Sequence, residues 1–541
     1  MTPRTRPSPP AEKVAASVQS GSDEDEERPT HTSEIGTLKK LPNQGTAWLG
    51  SSSGVYFVNT VRRAFSAAFA ATQALPASED ILTGEDAAGN SFNGPILTAP
   101  STTDQFPQML STSLGKLPDR KIGMELVTSF FKTWHPVFPF LHGPSFLKDM
   151  ETLYLPQRPT PPIFSESKRR RRSSSHAATP DIAPADARKL ATFQLIINIA
   201  YLDRPDIQLP ASSRINSTVD VTRVASVLAV DHSLATIQTL LAAQLYLVST
   251  LAIRPASTVG GMIVKLIYHA GLHRCPLRYA QLSVEDCDIR KRIFWSAYAL
   301  DRHCSLSLGD PNTIQDDDID VCLSGRELHK AVARDLLQRP EHEINLHMPR
   351  PDRRVGGLGS GPVEDDPRID ANETPEARDK SLREAALISY VHWSRLTGRI
   401  IEIFHKSINH RFPKQDAIMY LTSDIETWWN DLPSLLTDPD LPSDSAPQLQ
   451  CLSSFFKILY HRLHLLISRP RLSLDQSTPE FQHGLQICIR ASRNILAGLK
   501  SHQKQGQSMF LPGLLSAAWM SGLIIAFACQ LGKYPKARAC A

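Results

Sequence analysis

SVEDCDIRKRIFWSAYALDRHC, residues Ser283–Cys304, reads as one long helix. Ile289, Ile293, Ala297, Leu300 and Cys304 recur at steps of three and four, which gathers them on one face. Ser283 stands where a hydroxyl can accept the otherwise free amide of Asp286. Asp286 with Arg290, and Asp288 with Arg292, are acid-before-base pairs four residues apart, each worth about 0.3–0.5 kcal/mol on a helix surface. Upstream, Ser233 caps a second helix in which Leu234, Ile237, Leu241, Leu245 and Val248 form a stripe. Leu240, Leu247 and Leu251 widen that stripe, the pattern of an element buried on several sides. No segment alternates with period two between hairpin signals. The expected fold class is all-α, a large irregular multi-helix domain with a disordered N-terminus and two long loop inserts.

The flanking sequence divides around these helices. Residues 1–45 combine Pro, Ser and Thr with an acidic run from Asp23 to Glu27, and their apolar surface is too small to offset the entropy of ordering them, so a disordered tail is expected. Residues 46–118 hold a short helix from Gly54 to Phe69, suited to docking on a larger body, and then a linker. The core part, 119–338, opens with a helix over Ile122–Trp134 that His135-Pro136 and Phe138-Pro139 bring to a stop. A basic, Pro- and Ser-rich insert interrupts it at 155–185. A linker follows at 339–375, and residues 376–541 supply the C-terminal helices of the same domain.

Composition excludes several functions. The formal charge of +4 on 541 residues gives no global field for nucleic acid, so any basic contact surface must be local. Eight cysteines lie at 275, 287, 304, 322, 451, 488, 529 and 540 without a Cys-x2-Cys spacing, which suits a reducing compartment rather than a disulfide framework. No apolar run follows Met1, so no secretory signal is expected. Nucleophile elbow, phosphate loop and dinucleotide fingerprint are all missing, and the chain is not expected to be an enzyme. His269 with His273, and His461 with His464, have ligand-like spacing but no third donor, so no metal or cofactor is expected. Met509 to Leu531 carries no charge, and a C-terminal membrane anchor competes there with a buried core helix.

Three separated motifs resemble the regulatory middle-homology domain of the fungal zinc-cluster transcription factors, the binuclear Zn2Cys6 family. The strongest contains Lys291 and Arg292, Phe294 and Trp295, Leu300-Asp301-Arg302, Gly309 and Pro311, and Asp318-Ile319-Asp320. His135-Pro136-Val137-Phe138-Pro139-Phe140-Leu141-His142 is similar to the family's opening motif, and Ala270-Gly271-Leu272-His273-Arg274 to its helix-ending motif. Gly54-Val55-Tyr56-Phe57 resembles a segment that many members carry upstream. The resemblance implies a nuclear regulator of RNA polymerase II transcription. Its motif residues are read as structural: Gly271 takes the left-handed conformation that closes a helix, Pro311 fixes a turn, and the acids of 316–320 cap the next element or pair with Arg302 or Arg292. The resemblance further implies other transcription factors or coregulators as partners, a homo- or heterodimer, a small-molecule effector and no membrane. Members normally carry six cysteines that hold two zinc ions and set a helix in the major groove. Here no cysteine precedes Cys275, so DNA is expected to be reached only indirectly, through a cluster encoded upstream or a partner's. A non-DNA-binding ligand sensor or scaffold is the alternative.

Lys168, Arg169, Arg170, Arg171 and Arg172 have the size of a nuclear-localisation signal. Ser173, Ser174 and Ser175 follow immediately, where phosphorylation would cancel part of that charge.

Overall fold

A computed structural model describes residues 106–155, 184–279, 282–323, 375–405, 415–437 and 452–535, two short strands, and the helical residues Gly54, Phe57, Val58 and Val61. Eight helices precede residue 324: α1 (Phe106–Leu114), α2 (Arg120–Thr133), α3 (Gly143–Tyr154), α4 (Pro184–Tyr201), α5 (Thr218–Leu228), α6 (Leu234–Ser249), α7 (Ile253–His269) and α8 (Val284–Leu308). Six follow: α9 (Pro375–His405), α10 (Gln415–Asn430), α11 (Ser434–Thr437), α12 (Ser453–Ser468), α13 (Pro479–Lys504) and α14 (Leu514–Gln530). The fold is all-α apart from an antiparallel pair, Thr37–Lys40 with Thr46–Leu49, in which Thr37 faces Leu49 and Lys40 faces Thr46. Apart from Thr37–Lys40, the tail expected over 1–45 lies outside the described residues.

Local signals set the helix ends. Asp119 accepts from the Lys121 amide at 2.8 Å, and the hydroxyls of Ser233 and Ser283 accept from the amides of Thr236 and Asp286 at 3.3 and 3.1 Å. At the other ends α6, α7 and α8 close alike, with a left-handed residue and an amide that reaches back five positions. These bonds run from Ala252 to Leu247, Leu272 to Ile267, and Asp310 to Ser305. Gly271 (φ 66°) and Gly309 (φ 77°) take the left-handed position without penalty. At the end of α6 Leu251 takes it, with φ 64° and half its surface exposed. Leu251 therefore turns outward rather than widening the buried stripe, because the chain must reverse there to start α7.

Packing is centred on α6, buried on nearly every side and enclosed by α4, α5, α7 and α8. α8 then carries the core across to the second half, where α9 lies along it. α12, α13 and α14 pack in sequence beyond, and one continuous apolar core runs from Phe57 to Ala528. Phe57 is fully buried, with its ring edge-on to Phe527 of α14 at 6.5 Å, and Gly54 leaves room for Met520. α14 thus buries one face, with Leu514, Ile524 and Phe527, inside the protein, while Trp519 stays exposed. Among the described residues no helix is long and apolar enough to cross a membrane.

Gly513 begins α14 with φ 95°, directly against the buried guanidinium of Arg462. Arg462 lies under the Trp393 ring at 5.7 Å, and burial pushes its pKa down to about 10. Gly513→Ala would add left-handed strain and a clash with that guanidinium. The expected loss is about 2–5 kcal/mol, read as a lowered midpoint in chemical denaturation, and an unchanged midpoint would contradict this packing.

Candidate functional site

The His135–His142 segment builds one wall of a cleft. Pro136 and Pro139 end α2 and force the chain across the body, and Phe138 is driven into the core against Tyr390 of α9, with ring centroids 5.6 Å apart. Trp134, at the end of α2, donates its indole N–H to Asp203 at 2.7 Å. Burial nevertheless raises the Asp203 pKa to about 6, against the hydrogen bonds from Ser508 and Trp134. Gln238 of α6 donates to the Phe140 carbonyl at 2.7 Å, and Arg292 of α8 donates to the Leu141 carbonyl at 3.5 Å. His135 Nε2 lies 2.9 Å from that same carbonyl oxygen, so the neutral ring carries its proton on Nε2. Burial pushes the His135 pKa down to about 4, and the nearby Arg292 charge adds to the effect.

Behind this wall lies an open cleft of about 1480 Å³ between α2, α3, α4, α6 and the first turns of α8. Its floor is apolar, with Phe131, Phe146, Met150 and Phe193, while Lys132, Glu285, Asp288, Arg292 and Glu384 bring charge to it. Lys189 of α4 and Asp149 of α3 pair across one side at 3.0 Å. The volume exceeds the usual 300–1,000 Å³ of small-ligand pockets, so a bulky amphiphilic molecule would fit. Nothing in the sequence motifs pointed to Lys189, Asp149 or Phe193. Gln238 left a trace, as a polar residue inside an otherwise apolar helix.

The remaining motif residues assemble farther along α8 into a polar knot. Arg302, with 1% of its side chain exposed, pairs with Asp301 at 2.8 Å and Asp316 at 3.1 Å. Its guanidinium also lies 4.2 Å from the Tyr298 ring centroid, and the Tyr298 hydroxyl donates to Asp316 at 2.6 Å. Asp301 accepts from the amides of Thr313 and Ile314, which ties down the Gly309–Pro311 turn. A Cβ on Gly398 of α9 would sit 2.8 Å from Arg302 Nε, so that glycine admits the guanidinium between α8 and α9. Of the acids in 316–320, Asp316 pairs with Arg302, Asp320 accepts from the Cys275 amide at 2.7 Å and lies 3.5 Å from Arg274, and Asp318 sits in the 3-10 turn Asp316–Asp318. The Asp320 amide donates to the His273 carbonyl, and Trp295 donates to the Cys322 carbonyl at 3.4 Å. Asp286 accepts from the Ser283 hydroxyl, and Arg290 donates to the Ala270 carbonyl.

His142 bonds Ser145 at 2.8 Å across the start of α3. The His269 and His232 rings lie tilted 5.2 Å apart, His464 lies 3.4 Å from Glu426, and no metal-holding group of three donors occurs among the described residues. Lys168–Arg172 and Ser173–Ser175 lie outside the described residues.

Comparison with known proteins follows the same outline. Residues 217–326, from the cap of α5 to just past the knot, match the family described as fungal specific transcription factor domain. The chain is 37% identical over 533 residues to the Fusarium proliferatum protein named Probable transcription factor FUP6, which covers 94% of this chain and 72% of that protein. It is 21% identical over 466 residues to the transcriptional activator protein acu-15 of Neurospora crassa, covering 85% of this chain and 41% of that protein. An ABC-transporter-regulating transcription factor of Aspergillus oryzae is 25% identical over 211 residues, 39% of this chain and 21% of its own length. The chain thus spans less than half of the latter two relatives. No solved structure matches it.

Two outcomes test the geometry. Arg302→Met strands Asp301 in the interior and is expected to cost about 3–5 kcal/mol in chemical denaturation, where a change below about 1 kcal/mol would contradict the buried pair. The second concerns pH. His135, His303 and His461 are lowered by burial to about 4, 3 and 4, so between about pH 6.5 and 4 the unfolded chain binds protons that these folded rings refuse. Asp203, raised to about 6, opposes them, because its folded carboxyl holds a proton that the unfolded one releases. Burial also raises Asp301 and Asp310 and lowers His273, His392, His464 and His502, so the lowered histidines outnumber the raised carboxyls and the denaturation midpoint should be lower at about pH 5 than at about pH 7. A midpoint that rose on acidification would contradict the burial of these rings.

Proposed function

The chain belongs to the fungal specific transcription factor family and is a transcription regulator, and from that premise we propose that its helical body is the regulatory domain of a nuclear factor, governed by what occupies the cleft behind His135–His142. The supporting observation is the cleft itself. It joins motif residues before the matched segment to helices inside it, and an apolar floor with charges around it suits a bulky amphiphilic effector. An occupant there would touch α2, α3, α4, α6 and α8 together, so its binding energy would bear on how these helices pack. The role is regulatory rather than enzymatic.

Contact with DNA belongs, in this reading, to a zinc cluster encoded upstream or carried by a partner factor, since no cysteine precedes Cys275. Other transcription factors, coregulators or a second copy of the chain are the protein partners. Lys168–Arg172 serve nuclear import, and phosphorylation at Ser173–Ser175 would weaken it by reducing the local positive charge.

Leu147 lines the cleft with 38% of its surface exposed, so Leu147→Trp narrows the space at little cost to folding. Loss of the gene is expected to change a defined set of transcripts, and the Leu147→Trp protein, at normal abundance, to leave that set insensitive to its inducing condition. Transcript profiling checks both. A deletion that changes no transcript would remove the regulatory reading, and a normal response in the variant would remove the cleft from it.

A further inference from the structure

Beside the knot, two cysteine sulfurs face each other. Cys275 follows α7 and is fully buried, Cys322 follows α8 and is partly exposed, and their Sγ atoms are 3.5 Å apart with both thiols free. The two segments are already aligned. Asp320 accepts from the Cys275 amide at 2.7 Å and donates its own amide to the His273 carbonyl at 3.3 Å, and Arg274 lies 3.5 Å from the Asp320 carboxylate. A disulfide needs a sulfur–sulfur bond of about 2.05 Å, so closure asks only about 1.5 Å of movement from two chains held in register.

We propose that Cys275 and Cys322 are an oxidative modification site, a dithiol that hydrogen peroxide or an organic hydroperoxide converts to a disulfide within the regulatory domain. The roles follow from exposure and charge. Cys322 is the more exposed of the two residues, and although burial raises its pKa, the Lys291 ammonium beside it works in the opposite direction. Its thiolate attacks the peroxide, the O–O bond breaks, and a sulfenic acid and one water (an alcohol from an organic hydroperoxide) result. The buried Cys275 sulfur then attacks Cys322, the S–S bond forms, the S–O bond breaks, and the hydroxyl leaves with the Cys275 proton as water. With hydrogen peroxide, two thiols and one peroxide become one disulfide and two waters. The bond would tie the tail of α7 to the strap after α8, whose Cys322 carbonyl accepts the Trp295 indole N–H, so oxidation should register at Trp295.

The test uses the full chain, reduced and then treated with hydrogen peroxide. The thiol titre of the denatured protein is expected to fall by two from eight, fragmentation mass spectrometry to find Cys275 linked to Cys322, and dithiothreitol to restore both thiols. Tryptophan emission should shift on oxidation and return on reduction. The rate should climb about tenfold per pH unit between roughly pH 7 and 8, as the Cys322 thiolate fraction grows. Cys322→Ser should abolish the loss of thiols, and if that variant does not fold, the linkage map of the wild-type protein still decides. Cross-linking of Cys275 to Cys287 instead, links only between chains, or Cys322 found as an unlinked sulfinic acid would each overturn the pair.

Discussion

Arg302 brings a full positive charge into the seam between α8 and α9, where water does not follow, and a charge so placed must be met by matching groups or expelled. The structure meets it from three directions. Asp301 precedes it in the same helix, Asp316 returns from the strap after the Gly309 turn, and the Tyr298 ring lies beside the guanidinium. Each of these fixes more than the arginine. Holding Asp316 positions the strap, holding Asp301 positions the turn at 313 and 314, and admitting the guanidinium requires a glycine on α9. The attraction is thereby converted into specificity of register between the two halves, at a cost in desolvation that apolar residues would not have incurred.

The cleft and the knot share α8, the cleft meeting its first turns and the knot its later ones. Arg292, on the cleft side, holds the Leu141 carbonyl, and three turns later Arg302 holds the strap. A rigid helix that feels both sites is the kind of element through which occupancy on one side can alter packing on the other.

Much of this was legible in the sequence because it depends on local rules. The caps at Ser233 and Ser283, the stops at Pro136 and Pro139 and the left-handed Gly271 each follow from one residue's chemistry, and the structure agrees with them. Departures arise where distant chain decides. Arg290 and Arg292 have acids one turn away, yet they also reach backbone carbonyls at Ala270 and Leu141, contacts that no spacing along a helix could announce. Leu251 matched the apolar stripe by period, but the reversal into α7 placed it in a left-handed turn instead. The cleft was legible only in its His135–His142 wall, since its floor comes from helices brought together by folding.

The family-defining segment, 217–326, ends before the helix that covers its own charged face. Evolution can therefore recognise this stretch as a unit of descent while physics cannot treat it as a unit of folding. A recombination event that transplanted it alone would carry Arg302 and the α8 face into a new protein without the α9 glycine that admits the guanidinium and the Arg395 that lies over Trp295. Such a chimaera would expose a sticky, half-finished surface to the cell's quality control.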